Sequence, residues 1–299
     1  MDDADGLTRD FETHRAHLRA VAYRMLGSLA EADDAVQESW LRLARADTTD
    51  VQNLRGWLTT VVARVCLDML RGRAARREDP LEARLPDPIV GPADGTDPER
   101  HALLADSVGL ALLVVLDTLS PAERLAFVLH DIFAVPFNEV GSVMDRSPAA
   151  AKQLASRARQ RLRGATAAST VDPRRQRQIV DAFLAAVHDG NFDALLAVLD
   201  PDVVLRADAG KGPMGPSQVV RGATAAASQV LRFAPLARLA RPVLVNGTPG
   251  LLATSNGQPL SLLAVTIRDD KIVEIDVLAD PERLNKLDLP DLPDLPEAR

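Results

Sequence analysis

The stretch PFNEVGSVMDRSPAAAKQLASRARQRLRG, residues 136–164, contains the sharpest structural signal in this sequence. Gly141 is small enough to let a second helix approach the first. Asp145 lies where the intervening turn requires a left-handed residue, and Ser147 followed by Pro148 is a helix start signal. These features predict a helix-turn-helix, and a plain helical hairpin is the alternative.

A helix-turn-helix places its second helix in the DNA major groove, with the N-terminal residues toward the base edges. The side chains expected to face DNA are those of Ser147, Ala149, Lys152, Gln153 and Arg157. Lys152 and Gln153 are suited to base contacts, because they match base acceptors and donors. Arg159, Arg161 and Arg163 are expected mainly at phosphates.

Basic residues are concentrated in two places on a chain whose formal net charge is -7. One cluster lies in the helix-turn-helix. The other consists of Arg55, Arg64, Arg71, Arg73, Arg76 and Arg77. A net-acidic protein binds a polyanion when its cations are focused on one surface. The alternative is a pair of solvated helix faces, but such faces usually alternate in sign, and these do not.

Three helices are predicted before residue 80, over residues 11–28, 29–44 and 54–77, from apolar residues at helical spacing. The second helix has an acidic face opposite its apolar stripe. That face carries Asp33, Asp34, Gln37, Glu38 and Leu41. The third helix has Trp57 in its first turn, and this residue is either a base-stacking residue or part of the core.

Residues 80–99 are dense in proline, glycine and aspartate and predict a linker. A helix over residues 100–118 follows, and then a capping box that runs from Ser120 to Glu123. From about Asp172 the pattern changes to helices followed by strands with Asn-Gly and Asp-Asp turns. This order predicts an α+β unit whose sheet curls over its helices.

Three segments together resemble a bacterial extracytoplasmic-function sigma factor of the sigma-70 family. They are FETHRAHLRAVAYRMLGSLAEADDAVQESWLRL, LRGWLTTVVARVCLDMLRGRAARRE and LSPAERLAFVLHDIFAVPFNEVGSVMDRSPAAAKQLASRARQRL, and they match regions 2 and 4 in order. The resemblance implies that the acidic helix docks on the β′ clamp helices of core RNA polymerase. It also implies that the basic third helix melts and reads the −10 element of promoter DNA, and that the helix-turn-helix reads the −35 element.

The C-terminal part resembles the SnoaL-like, NTF2-like domain fused to one large group of these sigma factors. Three motifs of that group are partly retained, as Arg84-Leu85-Pro86-Asp87-Pro88, Asp208-Ala209-Gly210-Lys211-Gly212 and Asp280-Pro281-Glu282-Arg283-Leu284. The group carries this domain in place of a separate anti-sigma partner. The resemblance therefore implies regulation in cis.

The expected architecture is multidomain, with two all-α sigma domains followed by an α+β cone-shaped domain. Its expected parts are region 2 over residues 8–79, a linker over 80–99, region 4 over 100–168, the SnoaL-like domain over 172–287 and an Asp-Leu-Pro tail over 288–299. We expect the protein to act in the cytoplasm at the nucleoid, without a membrane segment.

We expect neither catalysis nor a bound metal or cofactor. The C-terminal part has no tyrosine and only one histidine, His188, so it offers little acid-base machinery. The single Cys66 lies in an apolar register and reads as a buried thiol. A small apolar effector is a further expected partner of the C-terminal domain. Two rival functions remain, a helix-turn-helix repressor with a ligand-binding domain and a SnoaL-type enzyme with a DNA-binding appendage.

Overall fold

The structure is a computed structural model, and it describes residues 2–46, 51, 53–75, 84–93, 109–162, 172–210, 212 and 214–290. The chain divides into two compact units. The first is Met1–Asp79 with Leu112–Thr166, and the second is Pro80–Ala111 with Ala167–Arg299. The described linker residues 84–93 therefore belong to the unit that contains the C-terminal domain.

The first unit begins with three helices, α1 (Asp2–Leu26), α2 (Leu29–Leu43) and α3 (Leu54–Ala75). Leu18, Met25 and Leu58 are fully buried among them. The predicted boundary after α1 is confirmed, because Gly27 adopts a positive φ of 70° that ends the helix.

The remaining helices of this unit are α4 (Leu110–Asp117), whose first two residues fall in the second unit, α5 (Pro121–Phe127), a π-helical turn (Val128–Ile132), α6 (Phe137–Val143) and α7 (Pro148–Leu162). The capping box is confirmed, since Ser120 and Glu123 each bond the backbone of the other. Part of the helix predicted over residues 100–118 lies outside the described residues. The described part becomes helical at Leu110.

The second unit has helices α8 (Pro173–His188), α9 (Phe192–Val198), α10 (Ala223–Leu231), α11 (Ala234–Ala237) and α12 (Pro281–Leu284). Its strands are β1 (Val90–Pro92), β2 (Leu199–Asp208), β3 (Gln218–Arg221), β4 (Ala240–Val245), β5 (Thr248–Ser255), β6 (Gln258–Arg268) and β7 (Lys271–Leu278). Helices and a large sheet together form the predicted α+β unit.

The sheet has the order β1-β4-β5-β6-β7-β2-β3, and its described pairs are antiparallel except β2 with β7. The predicted hairpin turns are confirmed. Asn246 and Asn256 take positive φ before Gly247 and Gly257, as two-residue hairpin loops require. One face of the sheet packs against α8, α9 and α10 through a core that includes Phe183, Leu195 and Ile275.

Strand β1 comes from the linker and was not predicted. Val90 pairs with Val245, so the linker extends the C-terminal sheet at its β4 edge. The Asn246 side chain accepts a hydrogen bond of 3.0 Å from the Ile89 N–H, and the Asn246 N–H donates to the Ile89 carbonyl at 2.8 Å. The linker therefore covers an otherwise open edge strand.

Candidate nucleic-acid interface and linker junction

The turn between α6 and α7 has the geometry of a helix-turn-helix. A Cβ at Gly141 would lie 2.6 Å from the Arg146 carbonyl oxygen, so only glycine permits this close approach. Asp145 takes a positive φ of 54°. The Ser147 hydroxyl accepts a hydrogen bond of 3.2 Å from the Ala150 N–H and so caps α7.

Helix α7 buries one face and exposes the face that was predicted to meet DNA. Ala151 and Leu154 are buried. The exposed residues include Ser147, Ala149, Lys152, Gln153, Arg157, Arg159 and Arg161. The predicted phosphate contact Arg163 lies outside the described residues.

Two acidic residues hold the arginines of α7 against the body of the domain, which the sequence analysis missed. Buried Glu123 lies 2.9 Å from Arg161 and 3.6 Å from Arg157, and Asp131 lies 2.7 Å from Arg159. Burial raises the pKa of Glu123. Hydrogen bonds from Ser120 and the charges of the two guanidinium groups lower that pKa by more than burial raises it, so the net shift is downward. The only sequence signal for these ion pairs was Glu123, which had been recognised as part of the capping box.

The basic helix α3 contacts the helix-turn-helix within the first unit. The Arg64 guanidinium donates a 2.9 Å hydrogen bond to the Ser142 carbonyl and a 3.4 Å bond to the Val143 carbonyl. It also lies 3.6 Å from the Asp145 carboxylate. A residue expected at the −10 element is therefore bound at the C-terminal end of α6.

The other residues expected at the −10 element have varied surroundings. Arg73 donates to Glu31 at 3.1 Å and to the Leu26 carbonyl at 3.2 Å, which ties α3 to the neighbouring helices. Arg55 contacts His17, Arg71 lies 3.8 Å from Asp68, and Trp57 is half-buried. Arg76 and Arg77 lie outside the described residues.

Two buried arginines join α1 to the helices that follow the linker, and sequence reasoning did not single them out. Arg124 is 3% exposed; it pairs with Asp117 and donates a 3.1 Å hydrogen bond to the Arg24 carbonyl. Arg24 is 5% exposed and lies 5.0 Å from the Phe133 ring. A signal existed in the sequence, since Arg24 interrupts the apolar spacing of α1.

The acidic face of α2 is accessible. Asp33, Asp34 and Gln37 are exposed, Glu38 is half-buried, and Leu41 is the one large hydrophobic residue exposed among the described residues, at 41%. Asp33 pairs with Arg19 at 2.7 Å and Glu38 with Arg42 at 3.0 Å. The face that was predicted to contact a partner is therefore accessible to solvent.

The three retained motifs of the second unit meet at one place, which we call the linker junction, formed by Leu85, Asp87, Asp208, Gly210, Asp280 and Arg283. The Arg283 guanidinium donates to the Leu85 carbonyl at 2.7 Å and to Asp87 at 2.6 Å, and it also pairs with Asp208. Asp208 in turn accepts a 3.0 Å bond from the Leu85 N–H. Arg283 was quoted within its motif but not chosen as a site residue, although it is the only cation of that motif.

The glycine and the prolines of these motifs serve close packing. A Cβ at Gly210 would lie 2.3 Å from Asp280, and Gly210 has a positive φ of 52°. Asp280 caps α12, which begins with Pro281 and buries Leu284 completely. Pro86 and Pro88 are buried and line a small cavity on one face of the sheet together with Leu262 and Leu278. The motif residues thus hold the linker on the sheet.

A buried carboxylate lies on the same face of the sheet. Asp276 is 2% exposed, lies 3.1 Å from Arg206 and also lines the small cavity beneath the linker. Burial raises the pKa of Asp276 to about 6, with Arg206 opposing and Glu274 adding to the shift.

Among the described residues, no group of three or more histidine, cysteine, aspartate or glutamate side chains is arranged to hold a metal ion. Cys66 is buried, as predicted, and burial raises the pKa of its thiol to about 12. None of the described helices combines the length and the apolar character needed to cross a bilayer.

Two family matches agree with the two helical domains. Sigma-70 region 2 matches residues 11–76, and sigma-70 region 4 matches residues 109–162. The first match contains α2 and α3, and the second contains the helix-turn-helix.

Relatives cover nearly the whole chain. The probable ECF RNA polymerase sigma factor SigI of Mycobacterium tuberculosis is 37% identical, over 96% of this chain and 98% of its own. The ECF RNA polymerase sigma factor SigJ of the same organism is 40% identical, over 92% of each chain. The crystal structure of SigJ covers 95% of this chain and all of its own, with a TM-score of 0.76 and 36% identity.

The chain belongs to the ECF RNA polymerase sigma factors, and its helical domains are followed by an α+β domain. It binds core RNA polymerase and promoter DNA and directs transcription initiation. The expected family and fold class are confirmed. SigI and SigJ are sigma factors rather than repressors or enzymes.

Proposed function

We propose that this sigma factor is regulated in cis by its C-terminal domain, which holds the linker between regions 2 and 4. The observation that carries the proposal is the Arg283 guanidinium, which binds two linker residues, Leu85 and Asp87, and the sheet residue Asp208. Because the partner charges are largely buried, breaking the junction is costly. The bound linker restricts the chain that connects the promoter-binding domains.

The promoter contacts that we propose follow the exposed basic faces. The −10 element is contacted by residues of α3 and of the segment that follows it, namely Arg55, Trp57, Arg64, Arg71, Arg73, Arg76 and Arg77. The exposed face of α7, with Arg163, meets the −35 element. The support is the helix-turn-helix geometry and the absence of acidic residues from the exposed face of α7 among the described residues.

We further propose that Asp33, Asp34, Gln37, Glu38 and Leu41 dock on the β′ clamp helices of the polymerase. The carboxylates suit a basic partner, and Leu41 supplies apolar area at the centre of the contact. Because both partners act on chromosomal DNA, the protein's place of action is the nucleoid.

The contact between Arg64 and the helix-turn-helix belongs to a closed state. The −10 and −35 elements are about 25 base pairs apart, which is about 85 Å at about 3.4 Å per base pair. Arg64 lies 2.9 Å from Ser142. The two reading helices therefore have to separate before they occupy both elements.

The C-terminal domain acts, in this proposal, as a regulator that takes a small apolar effector and not as an enzyme. Its large cavity is lined by apolar and neutral polar residues and, among the described lining residues, by no carboxylate, histidine or lysine. Acid-base catalysis needs such groups at the reacting atoms.

Run-off transcription with core polymerase on a library of promoters tests this proposal. The chain truncated after residue 168 is expected to give a transcript yield that differs from that of the full chain, because the linker is no longer held. Arg283→Ala in the full chain should change the yield in the same direction. Arg175→Ala, which removes an exposed pair with Asp270, is the matched control and should leave it unchanged. Equal transcript yields from the truncated and full-length chains would refute the proposal of cis regulation.

A further inference from the structure

The C-terminal domain contains a cavity between its sheet and helices α8, α10 and α11. The space inside it that water-sized groups can occupy is ≈ 100 Å³, several times the roughly 10–15 Å³ that a single water molecule needs, and its mouth opens to solvent. Phe183, Leu205, Phe233, Leu251 and Leu263 contribute much of the wall. A domain of ordinary packing density would fill such a space with side chains.

Small residues keep the cavity open. Ala240 pairs with Ala253 across strands β4 and β5, and both line the cavity. Ala207 and Ala279 line it from the ends of β2 and β7. A larger aliphatic residue at any of these four positions would occupy the space, so the sequence leaves room for a molecule.

The lining is electrically neutral. Gln218, Gln229 and Ser261 are its polar side chains, and no lining side chain that the structure describes carries a charge. A charged molecule would lose its hydration here without gaining a counter-charge, which is strongly unfavourable. A neutral molecule with an apolar body gains from the wall and can hydrogen-bond to an amide or hydroxyl group.

The loop after β2 connects this cavity with the linker junction. Met214 and Pro216 line the cavity. The next residue, Ser217, accepts hydrogen bonds from the Ala209 and Gly210 N–H groups at 3.1 and 3.2 Å. Its hydroxyl also donates to Asp208 at 3.5 Å. A molecule in contact with Met214 and Pro216 would therefore touch the loop whose Ser217 hydroxyl bonds to Asp208.

We propose that the cavity binds a neutral, predominantly apolar small molecule with at least one hydrogen-bonding group, and that this molecule strengthens the hold of the junction on the linker. The second half rests on the proposed cis regulation, whereas the first half does not. Ala207 and Ala209 line the cavity on either side of Asp208, so cavity and junction share one segment of backbone.

Binding is tested on the full chain with N-phenyl-1-naphthylamine, a neutral apolar fluorophore, and with its anionic relative 1-anilinonaphthalene-8-sulfonate. The neutral probe should bind at least tenfold more tightly, and Ala240→Trp should weaken it at least tenfold by filling the cavity. Ala225→Trp, at an exposed position of α10, is the matched control. If Ala240→Trp does not fold, Ala253→Leu replaces it. Tighter binding of the anionic probe, or binding that neither filling variant weakens, overturns the proposed site.

Coupling is tested by hydrogen exchange of the Leu85 amide, which bonds to Asp208. If release of the linker requires an empty cavity, exchange should slow by up to about tenfold at a probe concentration ten times its dissociation constant. Unchanged exchange with a filled cavity overturns the coupling and leaves the site standing. Neither result depends on transcript yield, so a failure here is distinct from a failure of cis regulation.

Discussion

At the scale of single residues, Lys152 tests whether the exposed face of α7 reads DNA. It is exposed, near the N-terminal end of the helix. In holoenzyme assembled with core polymerase, Lys152→Ala should weaken binding to promoter duplex and lower the slope of log affinity against log salt by about 1. Lys286→Ala, an exposed lysine of the C-terminal domain, is the control. An unaltered salt slope would argue against a contact there.

We expect Asp276 to make the stability of the C-terminal sheet depend on pH. Its pKa rises from 3.8 in the unfolded chain to about 6, so the folded state holds the proton more tightly. The stability from this group is fully present below about pH 4 and is lost as the pH rises through 6, by about 3 kcal/mol. Hydrogen exchange of the β7 amides between pH 4 and 7, corrected for intrinsic rates, measures this loss.

Asp276→Asn is the matched variant for that measurement. An asparagine cannot ionise, so exchange protection in β7 should not fall between pH 4 and 7 for this reason. If exchange protection in β7 depends on pH in the same way in the wild type and in the variant, the raised pKa of Asp276 is not the cause of the loss of stability.

At the scale of elements, the helix-turn-helix depends on the contact at Gly141. Gly141→Ala places a methyl group 2.6 Å from the Arg146 carbonyl and should destabilise the domain by about 1–3 kcal/mol. Gly72→Ala in α3 meets nothing within 4 Å and should stabilise its helix by about 0.5–1 kcal/mol. Thermal unfolding of the two variants should therefore shift in opposite directions, and a shared direction would refute the role of close approach.

Local elements were predictable because their signals lie within a few residues of one another. The Ser120 capping box, the turn at Asp145 and the hairpins at Asn246 and Asn256 were all predicted and all confirmed. Strand β1 was not predicted, because three residues of a proline-rich linker carry no alternation that marks a strand.

At the scale of the whole molecule, the closed state that we propose for the first unit predicts a large movement on promoter binding. Spin labels at Asp68→Cys and Gln160→Cys report the separation of α3 and α7. Cys66 stays unlabelled because it is buried. The distance should rise to tens of ångströms beyond its value in the free protein when core polymerase and promoter are added.

A pair within region 4, Asn138→Cys with Gln160→Cys, is the control for that movement and should keep its distance. If the α3 to α7 distance stays the same in the promoter complex, the contact between Arg64 and Ser142 is not a closed state that must open.

The sequence by itself determined the two helical domains, the helix-turn-helix and the α+β character of the C-terminal domain. Apolar spacing, caps and turn residues specify these features through the backbone nearby. Of the candidate site, the exposed face of α7 and the acidic face of α2 were predictable, because helical spacing alone decides which residues share a face.

Tertiary structure alone decided three features, which are the contacts of Arg283, the cavity of the C-terminal domain, and the binding of Arg64 to the turn after α6. Arg283 meets Leu85 from 198 positions away, and Arg64 meets Val143 from 79 positions away. Spacing along the chain carries no signal for such pairs. Such contacts form because folding brings the charged and polar groups close together in partly buried places. The energy of their interaction depends on distance in space and not on order in sequence.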